Sequence, residues 1–167
     1  MSALRLVIQF VLIVALQVLV LNNIELFGYM NPYLYVVYII MLPANMNRNA
    51  LLITGFFLGL CIDIFENSGG LHTSATVLIA FIRPFLFRLM AGPANQEIGR
   101  LNISTLGKLR FMILASIVVL VHHLWLFGLE AFRLNELLQV IQRAFFSGLF
   151  TLILIYLAQI LVYRNEE

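Results

Sequence analysis

At 167 residues, 62% hydrophobic and 11% charged, with a mean hydropathy of +1.00, the chain carries more apolar surface than a soluble fold of its size can hide. Soluble domains run at about 45–50% apolar and about 25% charged, so the expectation is an all-α integral membrane protein, one membrane domain over residues 1–167. The net charge of +2 is too small to argue for nucleic acid, and a single cysteine, Cys61, excludes an intramolecular disulfide.

The first apolar run, Leu4 to Leu21, is long enough to span a bilayer. Gln17 to Asn23 has no small-x-small cleavage pattern, so the run is taken as a span and not as a signal peptide. Gln9 and Gln17 share one helix face, which should turn toward protein. After a polar connection from Asn22 to Asn31, Asn31-Pro32 is a helix start, with asparagine as N-cap and proline at the first helical position. The run it opens, Tyr33 to Leu42, is short or broken, because Pro43 ends it. Tyr33, Tyr35 and Tyr38 suit an interfacial aromatic belt.

The third run, Ala50 to Phe65, holds Gly55, Gly59 and Asp63 at spacings of four, a smooth strip ending in an acid. Small residues at that spacing let another helix approach closely, whether from the same chain, a partner or a second copy in a homodimer. Asp63 is either an acid facing protein or water with a partner, or an ordinary helix-end acid at headgroup level. A glycine-containing turn from Glu66 to Gly70 follows, and His72 lies across it, either hydrogen-bonded to Asp63 or solvated. The fourth run, Leu71 to Met90, ends in Arg83-Pro84 and Arg88; both arginines are expected to snorkel to headgroups. Ala91 to Arg110 is polar and basic (Arg100, Lys108, Arg110), a loop with a short surface helix. Its contact is expected with anionic headgroups or a cytosolic partner; Asn102-Ile103-Ser104 there is a chance match to a glycosylation triplet. The fifth run, Phe111 to Leu129, carries adjacent His122 and His123, whose side chains diverge by about 100° on a helix; interfacial packing is expected for them. Glu130 to Gln139 is a polar connection, and Val140 to Tyr163 is the last run.

These runs make six transmembrane helices, the second short or broken. With the N-terminus inside, Arg5, Arg48, Arg88, Arg100, Lys108, Arg110 and Arg164 fall on the inner side, and Arg133 with Arg143 are the outer basic residues. Basic residues on alternate loops match the positive-inside rule for an N-in, C-in chain. No phosphate loop, HExxH, nucleophile elbow, CxxC or metal-spaced His/Cys cluster appears, so no enzyme, cofactor or metal is expected. A partner-binding scaffold fits best; a small-molecule-binding membrane subunit is the competing class.

The stretch TGFFLGLCIDIFENSGGLHTSATVLIAFI resembles the rod-shape-determining protein MreD family, whose pattern G-x-x-x-G-L-x-x-D, a short glycine turn and G-x-H falls here on Gly55, Gly59, Leu60, Asp63, Gly70 (or Gly69) and His72. NPYLYVVYIIMLPANMNRNALL is similar to that family's second span. The specific motif covers about a fifth of the chain, the general layout all of it. The resemblance implies an inner-membrane protein of the bacterial elongation machinery. It would bind MreC, a single-span protein with a periplasmic coiled coil, and through it link the MreB cytoskeleton to the peptidoglycan polymerase RodA and its transpeptidase. The implied fold is similar to the membrane S-component of energy-coupling-factor vitamin transporters, which makes such a transporter subunit the alternative function.

Overall fold

The computed structural model describes residues 3–24, 30–91, 101–131 and 136–163. Helices α1 (Ala3–Leu19), α2 (Val36–Met41), α3 (Arg48–Glu66), α4 (Leu71–Ala91), α5 (Ile103–Leu106), α6 (Lys108–Ala131) and α7 (Leu137–Tyr163) follow in order, with a 3-10 turn at Leu21–Asn23. Five helical stretches are long and apolar enough to cross a membrane: Ala3–Asn23, Arg48–Glu66, Leu71–Met90, Lys108–Ala131 and Leu137–Val162. Their outward faces are as apolar as their inward ones; Leu4, Phe85 and Leu89 are 69%, 71% and 71% exposed. Lipid can cover such faces without penalty, whereas water cannot.

The local reasons for these elements are visible in the chain. Asn47 caps α3 by accepting from the Asn49 N–H, and Asn67 ends it in the left-handed conformation at φ 53°. Gly69 (φ 63°) and Gly70 (φ 98°) then make the tight turn into α4 that a side chain would strain. Asn102 and Thr105 form a reciprocal capping box on α5. It is a short surface helix with one face turned inward: Ser104 and Thr105 are exposed, whereas Ile103 and Leu106 are buried. Asn102 itself is buried in the cap.

The second run departs most from expectation. Its helix begins at Val36 and not at Asn31-Pro32, and lasts six residues, about 9 Å of rise. Yet it is the centre of the molecule. Tyr35, Val36, Ile39 and Ile40 are wholly buried and Leu42 nearly so. Around it stand α1, α3, α4 and α6, with Leu51, Leu58 and Ile62 of α3, Ile79 of α4, Phe111 and Leu114 of α6, and Ile155 of α7 in the same core. The tyrosines expected in an interfacial belt are therefore core residues, each less than a tenth exposed.

The segment's direction follows from its contacts. Pro32 and Tyr35 lie beside Gln17 near the end of α1, and Tyr38 beside Leu6 near its start. Tyr33 meets Thr151 and Met41 meets Gln159 on α7. Residues 32–41 thus run antiparallel to α1 and parallel to α7.

Candidate functional site

The glycine strip is filled from within the chain. A Cβ on Gly55 would stand 3.0 Å from Ala80 Cβ and 3.1 Å from Thr76 O; one on Gly59 would overlap Thr76 Oγ1 and Thr73 Cα and stand 2.7 Å from His72 O. Helices α3 and α4 therefore touch backbone to backbone, and Gly55 and Gly59 serve intramolecular packing. Gly70 has no neighbour to clash with; its role is the positive φ of the turn.

This close approach places Asp63 at the start of α4. The first N–H groups of a helix have no intrahelical acceptor. Here the Asp63 carboxylate accepts from the His72 N–H at 2.9 Å and the Thr73 N–H at 2.8 Å, and also from the Ser68 and Thr73 hydroxyls. Asp63 is only 6% exposed, and these donors, with the positive end of the α4 dipole, offset its desolvation. The expectation of an acid with protein partners is met, but the partner is not the His72 ring.

The His72 ring bonds elsewhere. Its Nε2 lies 2.7 Å from Glu66 Oε2, and its Nδ1 lies 2.7 Å from the Tyr35 hydroxyl. Tyr35 in turn meets His122 Nε2 at 2.9 Å. A carboxylate only accepts, so His72 Nε2 donates to Glu66. The Tyr35 hydroxyl, which can both donate and accept, joins His72 Nδ1 to His122 Nε2, with the direction set by the two imidazole tautomers. His122 Nδ1 is buried without a partner. The result is a chain of hydrogen bonds from α6 through the start of α2 and α4 to the end of α3.

Beside it, His123 places Nδ1 2.8 Å from Val119 O and Nε2 3.3 Å from Thr151 Oγ1. Tyr33 packs edge-on or tilted against His72, His122, His123 and Phe127 at centroid distances of 5.2–6.1 Å. The two histidines expected at the interface are completely buried. An adjacent pair does point apart, but into two neighbouring polar clusters.

Polar side chains also serve the irregular backbone around α2. Gln17 donates to Pro32 O at 2.8 Å and accepts from Tyr35 N at 3.3 Å. Asn31 N–H donates to Ser147 Oγ at 3.2 Å, and Tyr33 N–H to Thr151 Oγ1 at 3.0 Å. At the other end Pro43 stops the helix. Arg83 donates to Ile40 O at 3.2 and 3.1 Å, to Leu42 O, and to Pro43 O at 3.5 Å. Arg83 does not snorkel: it is 1% exposed, and it faces the carbonyl end of α2, where a cation is favourable. Non-helical backbone at membrane depth survives only when its polar groups are met inside the protein, and here α1, α4 and α7 meet them.

Of the predicted residues, then, Gly55, Gly59, Asp63, Gly70 and His72 gather at one α3–α4 corner. Lys108 and Arg110 are exposed in the first turn of α6, not in a loop. Arg100 lies outside the described residues. Tyr35, Arg83, Ser147, Thr151 and Gln159 escaped the sequence reading as site residues. Ser147, Thr151 and Gln159 repeat at multiples of four along the last apolar run, the same one-face signal as the glycine strip. Among the described residues, no three His, Cys, Asp or Glu side chains gather to hold a metal ion. No model of a known protein family matches the chain, nor does any curated protein or solved structure.

Proposed function

We propose that the chain is a non-enzymatic membrane scaffold of the MreD type, set in the bacterial inner membrane with both termini cytoplasmic and binding an MreC-like single-span coiled-coil protein. Through that partner it would support MreB, RodA and its transpeptidase in lateral wall synthesis. The observation that carries the reading is where the motif's polar atoms go. Asp63, Glu66 and His72 are consumed in joining α3, α4 and α2, and none of them lines the cavities formed by the described residues. Residues 32–43 count as a sixth, broken crossing, supported by their course antiparallel to α1 and by the backbone partners supplied along it.

Since α4 already fills the glycine strip, a partner helix has to take an outward face. One such face is the shallow apolar groove of 630 Å³ between α3 and α4, walled by Phe56, Leu60, Val77 and Phe81. The test is co-purification in mild detergent from native membranes. A single-span coiled-coil protein should be recovered with the wild type and lost with Val77→Trp, which fills the groove at a residue outside the Gly55 and Gly59 contacts. Recovery unchanged by Val77→Trp would move the interface to another face; absence of such a protein would defeat the scaffold reading.

The transporter-subunit reading has one observation in its favour. A 210 Å³ cavity between α6 and α7 is lined by Phe127, Glu130, Glu136, Gln139 and Arg143, and Arg143 Nε there is buried without a partner. Recovery of two ATPases and a coupling subunit in the same experiment would favour it.

A further inference from the structure

A groove of 910 Å³ opens where the loop between α2 and α3 meets the last turns of α4. Its walls are of two kinds. Phe81, Ile82 and Phe85 form an apolar side, with Phe85 71% exposed. Arg48 and Arg88 supply two exposed guanidinium groups, with Asn45 at the rim. Neither arginine is in an ion pair among the described residues.

The position of Arg48 is informative. The register set by Gly55 against Thr76 and Ala80 places the Arg48 backbone level with the turn that holds Phe85. Its guanidinium nevertheless sits over the Phe81 ring, 4.5 Å from the centroid. That is about 6 Å, one turn, farther from the helix end. An arginine at a membrane edge ordinarily extends toward the headgroups and water; this one reaches back along the apolar wall. A cation held there is balanced by an anion that brings its own hydrocarbon. Phe81 and Phe85 continue the groove onto the lipid-facing side of α4, where Leu89 is also exposed.

We propose that this groove binds one anionic phospholipid, its phosphate between Arg48 and Arg88 and an acyl chain along Phe81 and Phe85. An acidic protein segment would match the arginines but leave the aromatic wall unaccounted for. The inference does not depend on the scaffold reading.

Native mass spectrometry of the delipidated chain in mild detergent, titrated with phosphatidylglycerol, phosphatidylcholine, inorganic phosphate or a poly-glutamate peptide, tests it. Phosphatidylglycerol should be retained and phosphatidylcholine not, and phosphate and the peptide should fail to displace it. Arg48→Gln and Arg88→Gln should each weaken retention about fivefold and together about 25-fold. Lys108→Gln with Arg110→Gln, basic residues outside the groove, should change it less than twofold. Equal retention of the two lipids, wild-type retention by the arginine variants, an equal loss with the Lys108 and Arg110 changes, or displacement by phosphate or peptide would overturn the site. A second measurement leaves both arginines intact: in Phe85→Trp, brominated phosphatidylglycerol should quench the new fluorescence at lower lipid fractions than brominated phosphatidylcholine. Identical quenching curves would also overturn it.

Discussion

Replacing Gly59 by alanine adds one methyl group at the tightest point between α3 and α4. In an open helix position the change stabilises by about 0.5–1 kcal/mol, because alanine loses less backbone freedom than glycine. Here the new carbon would stand 2.7 Å from His72 O and closer still to Thr73 Cα and Thr76 Oγ1. Two of those three are backbone atoms, so no side-chain rotation relieves them. Helix α4 has to retreat by about 0.7 Å or more to restore ordinary contact. The Asp63 bonds to His72 N and Thr73 N, now 2.9 and 2.8 Å, would stretch to about 3.6 Å, past hydrogen-bonding range. Overpacking of about 1–3 kcal/mol and loss of the α4 cap at about 1–2 kcal/mol outweigh the alanine gain. The expected net loss is about 1–4.5 kcal/mol. Two other glycines calibrate the argument. A Cβ on Gly55 meets Ala80 Cβ and Thr76 O at 3.0 and 3.1 Å, so Gly55→Ala needs a few tenths of an ångström and should be within about 1 kcal/mol of neutral. Gly128, inside α6, has nothing within 4 Å of such a carbon, so Gly128→Ala should stabilise by about 0.5–1 kcal/mol. Adding Thr76→Ala to Gly59→Ala should not rescue it, since the backbone contacts remain. Reversible unfolding of the purified chain in bicelles measures all four. A Gly59→Ala stability equal to or above that of Gly55→Ala would refute the reasoning.

Three further substitutions probe the buried polar groups. Asp63→Asn turns one acceptor oxygen into a donor facing the N–H of either His72, which bonds Oδ1, or Thr73, which bonds Oδ2, and should destabilise by about 2–3 kcal/mol in the same unfolding assay; a neutral result would mean that the charge at the α4 terminus is immaterial. Tyr35→Phe keeps the ring packing but leaves His72 Nδ1 and His122 Nε2 without their shared partner. Membrane hydrogen bonds average about 0.6 kcal/mol and reach about 1.7, so the two lost bonds should cost about 1–3 kcal/mol, and a double-mutant cycle with His72→Ala should show coupling. Additive effects within about 0.3 kcal/mol would break the proposed chain at that link. Arg83→Met leaves the carbonyls of Ile40 and Leu42 without their donor. It should raise hydrogen exchange or cysteine labelling specifically in residues 36–43, and labelling no higher than in the wild type would show that α2 holds its break unaided.

The membrane class, the five long helices and the α3–α4 corner were legible in the sequence, each for a local reason. Apolar runs longer than about 18 residues leave one environment open to them. Glycines at spacing four and an acid four further on describe a helix face whatever surrounds it, and Gly69-Gly70 describes a turn because only glycine adopts those dihedrals without strain. Where each polar atom bonds depends on which helices stand side by side, and spacing along the chain does not carry that. Tyr35, His72 and His122 are 37 and 87 residues apart along the sequence and meet because α2 lies inside the bundle. The same placement reverses the expected environments of the three tyrosines, the two histidines and Arg83. A polar side chain in an apolar run has two ways to avoid lipid, outward to the headgroups or inward to a partner. Local spacing permits both. The broken second segment decides between them, because its exposed backbone carbonyls and N–H groups, buried in the centre, give Arg83, Gln17, Ser147 and Thr151 partners that lipid cannot.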